Sequence, residues 1–503
     1  MTRWNRRFDF AAPVPAAAEL RRAHFIAIGG AGMSAVARLM LERGVAVSGS
    51  DQNDSPVLEV LRAAGASVTV GHSAATVSAL PDGAVVVVSS AIRDDNPELA
   101  AARERGLRVL HRAQGLATLL PGNRVAAVAG ANGKTTTSAM LAAALRTAGL
   151  DPSFAIGAPP VGHDVGAGLG GGDVFVVEAD ESDSSFLVYH PEVAVVTNLM
   201  PDHLDFYGTF ERVTRAYDEF VATIAPGGLL VTCADDEGAR GLAERARADG
   251  VRVVTYGVAS DADVRLTGLG GAGFDWGATV LQDGQPPRRL GLRLPGAHNV
   301  LDAAGAYTAA TRGLGAHPDL VLEGLAAFPG TSRRFEPRGE AAGVRVVDDY
   351  AHNPGKVAAA VRTGRGLTGP GRLVLVFQPH LYSRTRDFAA ELAAALSPAD
   401  VVVVLDVYRA REDPVPGVTG ALVADRVTGA EVHYLPDRPE VAAAVHGLVR
   451  PGDLVLTVGA GDVTAVGPQL LRLLSAEGVL ADPAAPPGAP EGPAPSAGSS
   501  SCA

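Results

Sequence analysis

The sequence predicts an α/β protein of three domains, each built on a mainly parallel sheet, followed by a disordered tail. Three observations carry that reading. Short β-branched and apolar runs alternate with helical patterns along most of the chain, the rhythm of strand–helix–strand units. Two breaks rich in Pro and Gly, at 120–123 and 328–331, divide it into segments 1–122, 123–329 and 330–480. Residues 481–503 hold six Pro and three Gly with no aromatic or β-branched side chain, so they cannot bury a core and are expected to be disordered.

The elements follow in order. In the first segment strands are predicted at 24–28, 46–49, 67–70, 84–89 and 108–110, with helices such as 35–43 and 56–64 between them. The second segment opens on a strand at 124–129 and continues with strands at 174–178, 193–198, 229–232 and 251–256. Its helices are expected at 210–224, 300–312 and around 320–327, and glycine-rich 266–274 marks a small antiparallel insert. The third segment repeats the rhythm, with strands at 344–348, 373–378, 401–407, 432–435 and 454–458.

Composition narrows the function classes. Of 503 residues 47% are hydrophobic and 19% charged, which calls for globular cores. The net charge of −12 argues against nucleic acid as a partner, so an anionic ligand has to be held by local basic groups. No uncharged apolar run approaches the ~18 residues of a membrane span, and none is expected. Residues 1–10 carry Arg3, Arg6 and Arg7 without an apolar centre, so no secretory signal is expected. The two cysteines, Cys233 and Cys502, exclude a disulfide scaffold and suit a reducing cytoplasm. Only two of the 43 basic residues are lysines, Lys134 and Lys356. An ammonium is a compact, rotatable charge and a guanidinium a planar fork, so each lysine calls for a reason, and its local context decides between a specific site and chance survival.

Two glycine turns carry the chemistry. Gly29-Gly30-Ala31-Gly32-Met33 lies between a strand and a helix, reads as G-x-G-x-x-A from Gly30, and is followed by Asp51 at the end of the next strand. Such a turn brings backbone and a helix N-terminus up to a diphosphate, and the pyrophosphate of NAD or of a UDP-sugar fits equally well. The second turn is Gly130-Ala131-Asn132-Gly133-Lys134-Thr135-Thr136, again between strand and helix. It departs from the strict phosphate-loop pattern, with Val128 where the first glycine belongs, yet its parts suffice. Backbone N–H groups cradle phosphate, Lys134 neutralises it and the Thr135 hydroxyl is placed to ligate Mg²⁺. Glu178, at the end of a hydrophobic strand, is the expected acidic partner of that ion, and His203 ends a neighbouring strand after Asn198. Arg333 and Arg334 suit phosphate or carboxylate clamping, and the run from Phe377 to Asp387 reads as a strand-end binding lip.

These motifs, with Ser89-Ser90-Ala91-Ile92, Pro295–Asn299, Asp348–Pro354 and Gly459-Ala460-Gly461, resemble in order the Mur ligase family over about residues 24–463. The resemblance, strongest to the alanine-adding branch, implies a UDP-sugar-binding domain, a central ATP-binding domain and a C-terminal domain for amino acid and nucleotide. It implies ATP-dependent ligation of L-alanine to the lactyl carboxylate of UDP-N-acetylmuramate through an acyl phosphate, with Mg²⁺. By the same resemblance Gly29, Gly30, Ala31, Gly32, Met33, Asp51 and Ser89 hold the UDP-sugar, and residues 130–136 with Asn299 and Asp349 hold ATP. Thr135, Glu178 and His203 are implied as Mg²⁺ ligands, Arg333 or Arg334 as the γ-phosphate contact, and Tyr350, His352 and Arg384 as the alanine subsite. Two positions depart from the family pattern: Ala131 stands where threonine is usual, and Leu381 where many relatives have arginine. Lys356 receives no role. Rival readings are a ligase that attaches an intact tripeptide to the same sugar, a non-catalytic nucleotide binder, and an NAD(P)-dependent oxidoreductase. The last explains Gly30, Gly32 and Asp51 but leaves the second glycine turn without a purpose.

Overall fold

The computed structural model describes residues 5, 7–161, 165–410 and 412–480, so the tail expected to be disordered lies outside the described residues. Three sheets follow one another along the chain. The first contains β1 (Arg22–Ile26), β2 (Ala46–Asp51), β3 (Ser67–Val70), β4 (Val85–Val88) and β5 (Arg108–His111), in the order β3-β2-β1-β4-β5 with every pairing parallel. β4 is four valines, all buried, as a parallel strand covered on both faces requires.

The second sheet runs from β6 (Arg124–Ala129) through β7 (Ser153–Ala155), β8 (Ala167–Gly168), β9 (Val174–Glu178), β10 (Val193–Val196), β11 (Leu229–Cys233) and β12 (Arg252–Gly257). The expected antiparallel insert is the meander β13 (Val264–Ala272), β14 (Asp275–Gln282) and β15 (Arg288–Leu292), joined to the edge of the same sheet. The order is β15-β14-β13-β12-β11-β10-β6-β9-β7-β8, so β6 lies between β9 and β10 and the chain leaves it in both directions. That reversal opens a crevice at the carboxyl ends of three neighbouring parallel strands, where α/β sheets bind ligands.

The third sheet comprises β16 (Glu336–Ala341), β17 (Val344–Asp349), β18 (Leu373–Phe377), β19 (Val401–Val404), β20 (Glu431–Tyr434) and β21 (Leu454–Val458), in the order β16-β17-β21-β18-β19-β20. All pairings are parallel except β16 with β17. The linker before it is tied to the second sheet's loops: the backbone N–H of Ser332 donates to the Pro159 carbonyl at 2.9 Å, and that of Val161 to Gly330 at 2.9 Å.

Element limits differ from the sequence reading where turns intervene. β1 stops at Ile26 because Ala27 takes a left-handed φ of 60°, and the helix expected at 35–43 begins at Ala31 because Gly30 already caps it. The helix Ala297–Thr308 ends early in a wider turn, Ala309–Gly313. The short strands β7, β8 and β16 carry too few apolar residues to announce themselves.

One polar cluster is sealed inside the first sheet's domain. The fully buried Glu98 carboxylate accepts from Ser50 Oγ at 2.6 Å and from the Ser73 N–H at 3.1 Å, and His24 Nε2 lies 3.3 Å away. Burial alone raises its pKa, yet the contacts from His24, Ser50 and Ser73 together bring it below the ordinary glutamate value. A lowered folded-state pKa contributes stability above the unfolded value that is lost as pH falls through the folded one. Glu98→Gln is expected to cost about 1–3 kcal/mol at neutral pH. In calorimetric scans the gap in thermal midpoint from wild type should narrow as pH falls below the normal carboxylate range; a gap constant with pH contradicts the assignment.

Candidate functional site

The 130–136 turn leaves β6 and becomes the first turn of the helix Lys134–Thr147. Gly133 sits at its N-cap with φ 84°, and a Cβ there would lie 2.3 Å from Asp302 Oδ1, so both backbone and space demand glycine. The loop is clasped from β10: Asn132 N–H donates to Asn198 Oδ1 (2.9 Å), while Asn198 Nδ2 (2.9 Å) and Thr197 Oγ1 (2.6 Å) donate to the Asn132 carbonyl. Lys134 Nζ donates to the Gly130 carbonyl at 2.6 Å and to Glu181 Oε1 at 2.8 Å. Burial opposes both charges of this pair, but mutual attraction prevails: Glu181 is brought down to about 2 and Lys134 is raised.

Thr135 Oγ1 donates to Glu178 Oε1 at 2.9 Å, and Glu178 Oε2 accepts from the Gly157 N–H at 2.6 Å. A hydroxyl and a carboxylate oxygen side by side at a phosphate loop fit Mg²⁺, which takes few protein oxygens and completes its shell from phosphate and water. His203, the third expected ligand, has its Nε2 3.5 Å from Glu181 Oε1 and 3.9 Å from Asp202 Oδ2. Burial lowers its pKa, but Glu181 and Asp202 outweigh that and raise it.

Two cavities meet at Glu178. A pocket of about 80 Å³ is lined by Ala131–Thr136, Glu178, Arg334 and Lys356. A longer cavity of about 720 Å³ runs from Ala31 and Gly32, past Arg112, Asp180 and the 155–159 loop, to the same Glu178. Along the first glycine turn, the Gly29 N–H donates to Asp51 Oδ2 at 2.8 Å, so Asp51 shapes the turn. Met33 is buried in the core, and at the end of β4 it is Ser90, next to Ser89, that contacts His111 Nε2 (3.0 Å) and donates to Asp183.

The structure separates the two arginines after residue 332. Arg333 is spent inward, donating to Asp348 (3.2 Å) and to the carbonyls of Gly459 (2.6 Å) and Gly461 (3.1 Å), so it braces the third sheet. Arg334 reaches Thr135 Oγ1 at 3.4 Å and lines the small pocket. Tyr350 stacks beneath both guanidiniums, at 4.9 and 5.3 Å. Asp349 accepts from the N–H groups of Phe335 (2.8 Å) and Ala351 (2.7 Å), and burial pushes it up to about 6. Asn299 donates to Pro295 (2.8 Å) and lines neither cavity.

Tyr350, His352 and Arg384 come together through His380: ring centroids lie 5.4 Å apart for Tyr350–His352 and 5.8 Å for His352–His380, and Arg384 contacts His380 at 3.4 Å. Burial, then Arg384 and Lys356, lower His352 to about 3. The neutral ring donates from Nδ1 to the Tyr350 carbonyl (2.9 Å), which leaves Nε2 as an acceptor. Leu381 is buried beside this cluster with φ 70°, so it supplies packing and no charge.

Residues 22–124 match the Mur ligase family, catalytic domain; 128–310 match the Mur ligase middle domain; and 333–461 match the Mur ligase, glutamate ligase domain. The UDP-N-acetylmuramate–L-alanine ligase of Kineococcus radiotolerans is 58% identical over 468 residues, covering 92% of this chain and 98% of that protein. The chain belongs to the Mur ligase family. Its three sheets are the three domains of that architecture. Among solved structures, the UDP-N-acetylmuramate–alanine ligase of Thermotoga maritima superposes with a TM-score of 0.76 at 30% identity, covering 91% of this chain and 99% of that one. A murein peptide ligase from Psychrobacter arcticus shares the fold, with a TM-score of 0.68 at 24% identity and 90% and 99% coverage.

Three features of this Mur ligase escaped the sequence reading: Glu181 as the partner of Lys134, Arg112 on the long cavity, and Lys356 in the small pocket beside the 130–136 turn. Only the rarity of lysine hinted at the last. Lys134 occupies a slot between the Gly130 carbonyl and Glu181 that an ammonium fits and a planar fork does not. Lys134→Arg should therefore lower kcat by on the order of 10²–10³ although charge is kept. Steady-state rates within about threefold of wild type would contradict that role.

Proposed function

We propose that this Mur ligase joins L-alanine to the lactyl carboxylate of UDP-N-acetylmuramate with ATP as the energy source, releasing ADP and phosphate, as a cytoplasmic step of peptidoglycan precursor synthesis. The observation that carries the reading is the meeting of the two cavities at Glu178. One begins at a diphosphate-type glycine turn and the other is a phosphate loop, so a nucleotide-sugar anchored at the first presents its far end to the second. Sequence supports the alanine-adding branch, since the 58%-identical relative is named for that reaction.

The chemistry follows from charge. A carboxylate oxygen of the sugar attacks the γ-phosphorus and ADP leaves. The alanine amine then attacks the acyl carbon and loses a proton, and phosphate departs with the carboxylate oxygen. Both steps move negative charge, and neutralisation is what the site offers: Lys134 and Arg334 face the phosphate, and no serine or cysteine lines the small pocket. Thr135, Glu178 and His203 would hold Mg²⁺, whose contribution is to screen the charge of the phosphates. We assign Asn299 and Asp349 to the nucleoside end of ATP. Tyr350, His352 and Arg384 form the alanine subsite, where the Arg384 guanidinium suits the substrate carboxylate and His352 Nε2 accepts from its amine. We divide the chain into domains at 1–122, 123–329 and 330–480.

Phosphate release from ATP should require both UDP-N-acetylmuramate and L-alanine, with glycine and serine slower. A requirement for the tripeptide in place of alanine would move the chain to the recycling reaction. A Cβ at Gly32 would lie 2.6 Å from Arg112 Nη1, so Gly32→Val both blocks backbone approach and displaces that guanidinium. Titration calorimetry should show UDP-sugar binding weakened by about tenfold or more, since losing a hydrogen bond to a charged group costs ~1.5–3 kcal/mol, with ATP binding unchanged. Binding of NAD⁺ that UDP does not displace would revive the oxidoreductase.

A further inference from the structure

We propose that Lys356 is a second phosphate-binding lysine, reaching from the third domain into the loop that holds Lys134 to grip the phosphate chain of the nucleotide; the inference rests on reading residues 130–136 as the ATP site. Lys356 is the third residue of the helix Pro354–Leu367, and its backbone N–H is fixed by the Asn353 cap at 2.9 Å. From that anchored turn its side chain lines the 80 Å³ pocket opposite Ala131–Thr136.

Among the described residues that line the pocket, cations outnumber carboxylates. Lys134, Arg334 and Lys356 line it against one carboxylate, Glu178, which is already engaged by Thr135 and Gly157. Lys134 has its own counter-ion in Glu181 at 2.8 Å, whereas among the described residues no carboxylate pairs with Lys356. Burial first, then the charges of Lys134 and Arg334, bring the Lys356 ammonium down to about 8, against the pull of Asp202 and Glu181. A cation held among cations is a cost in the empty pocket that a polyphosphate turns into attraction.

Composition points the same way. The chain uses arginine 41 times and lysine twice, and the two lysines converge on one small pocket from two domains. A point charge on a flexible stem follows phosphate oxygens where a fork has no room. Lys356 lines the phosphate pocket and not the long cavity, so its ligand is the nucleotide phosphate and not the sugar carboxylate. With Arg334 it gives the third domain two cations on a ligand cradled by the second, so the phosphate chain bridges the two.

Titration calorimetry with ATP and AMP on the full chain, wild type, Lys356→Met and Lys356→Gln, tests this. Met keeps the length of the side chain without its charge, and the ATP-to-AMP affinity ratio cancels general damage to the fold. The ratio is expected to fall by at least about threefold in both variants, while the thermal midpoint without nucleotide is no lower than in wild type. A smaller fall, with wild type binding ATP and turning over alanine, overturns the role of Lys356 and spares the proposed function. Wild-type protein that binds no ATP overturns both.

Discussion

The ion pair between Lys134 and Glu181 is the interaction on which the site depends. Placing an ammonium and a carboxylate away from water costs several kcal/mol per ion unless geometry and further hydrogen bonds compensate, and losing one partner of such a pair typically costs ~3–5 kcal/mol. Compensation is visible here. Lys134 also donates to the Gly130 carbonyl, His203 Nε2 lies 3.5 Å from Glu181 Oε1, and Tyr207 donates to the Glu181 carbonyl at 2.5 Å, fixing the segment that carries it. The pair thus locks the phosphate loop to the segment after β9, and Asn198 locks it to the segment after β10. One Glu181 oxygen remains buried without a partner, a tension that a positively charged neighbour eases.

Around that anchor each sheet contributes the carboxyl ends of its strands, for the same reason each time. Strands of the Val85–Val88 and Val401–Val404 kind have no polar side-chain atoms, and their backbone groups are spent in the sheet, so chemistry is displaced to their ends. The first domain ends β1 in a glycine turn shaped by Asp51, the second ends β6 in a phosphate loop, and the third ends β17 in the Asp349–Pro354 turn. The resulting ligand path passes from one turn to the next, with Glu178 at the junction of the two cavities.

Much of this was legible in the sequence because it resides in contiguous residues. The two glycine turns, the alternating rhythm and the antiparallel insert need only local spacing, and the ordered motifs announce the family. What escaped is non-local. Nothing in Arg333-Arg334 says which guanidinium turns inward; the choice is made by carbonyls of Gly459 and Gly461 far along the chain. Glu181 lies three residues after Glu178, but its partnership with Lys134 depends on how β9 sits beside β6. His203 was grouped with Glu178 from its strand-end position and the family resemblance, but the sequence did not show that a left-handed backbone at φ 53° sets it beside Glu181. Lys356 received no role from the sequence and joins the lining of the small pocket only when the third domain packs against the second.

The central claim is that a carboxylate carried from the first domain is phosphorylated at the loop of the second before any amine attacks. Turnover with UDP-N-acetylmuramate carrying ¹⁸O in its lactyl carboxylate tests that claim directly, with the released phosphate analysed by mass spectrometry. Transfer of one ¹⁸O atom into the phosphate for each amide formed is the predicted result. Phosphate free of ¹⁸O would mean that the carboxylate never attacks phosphorus, and would contradict the account.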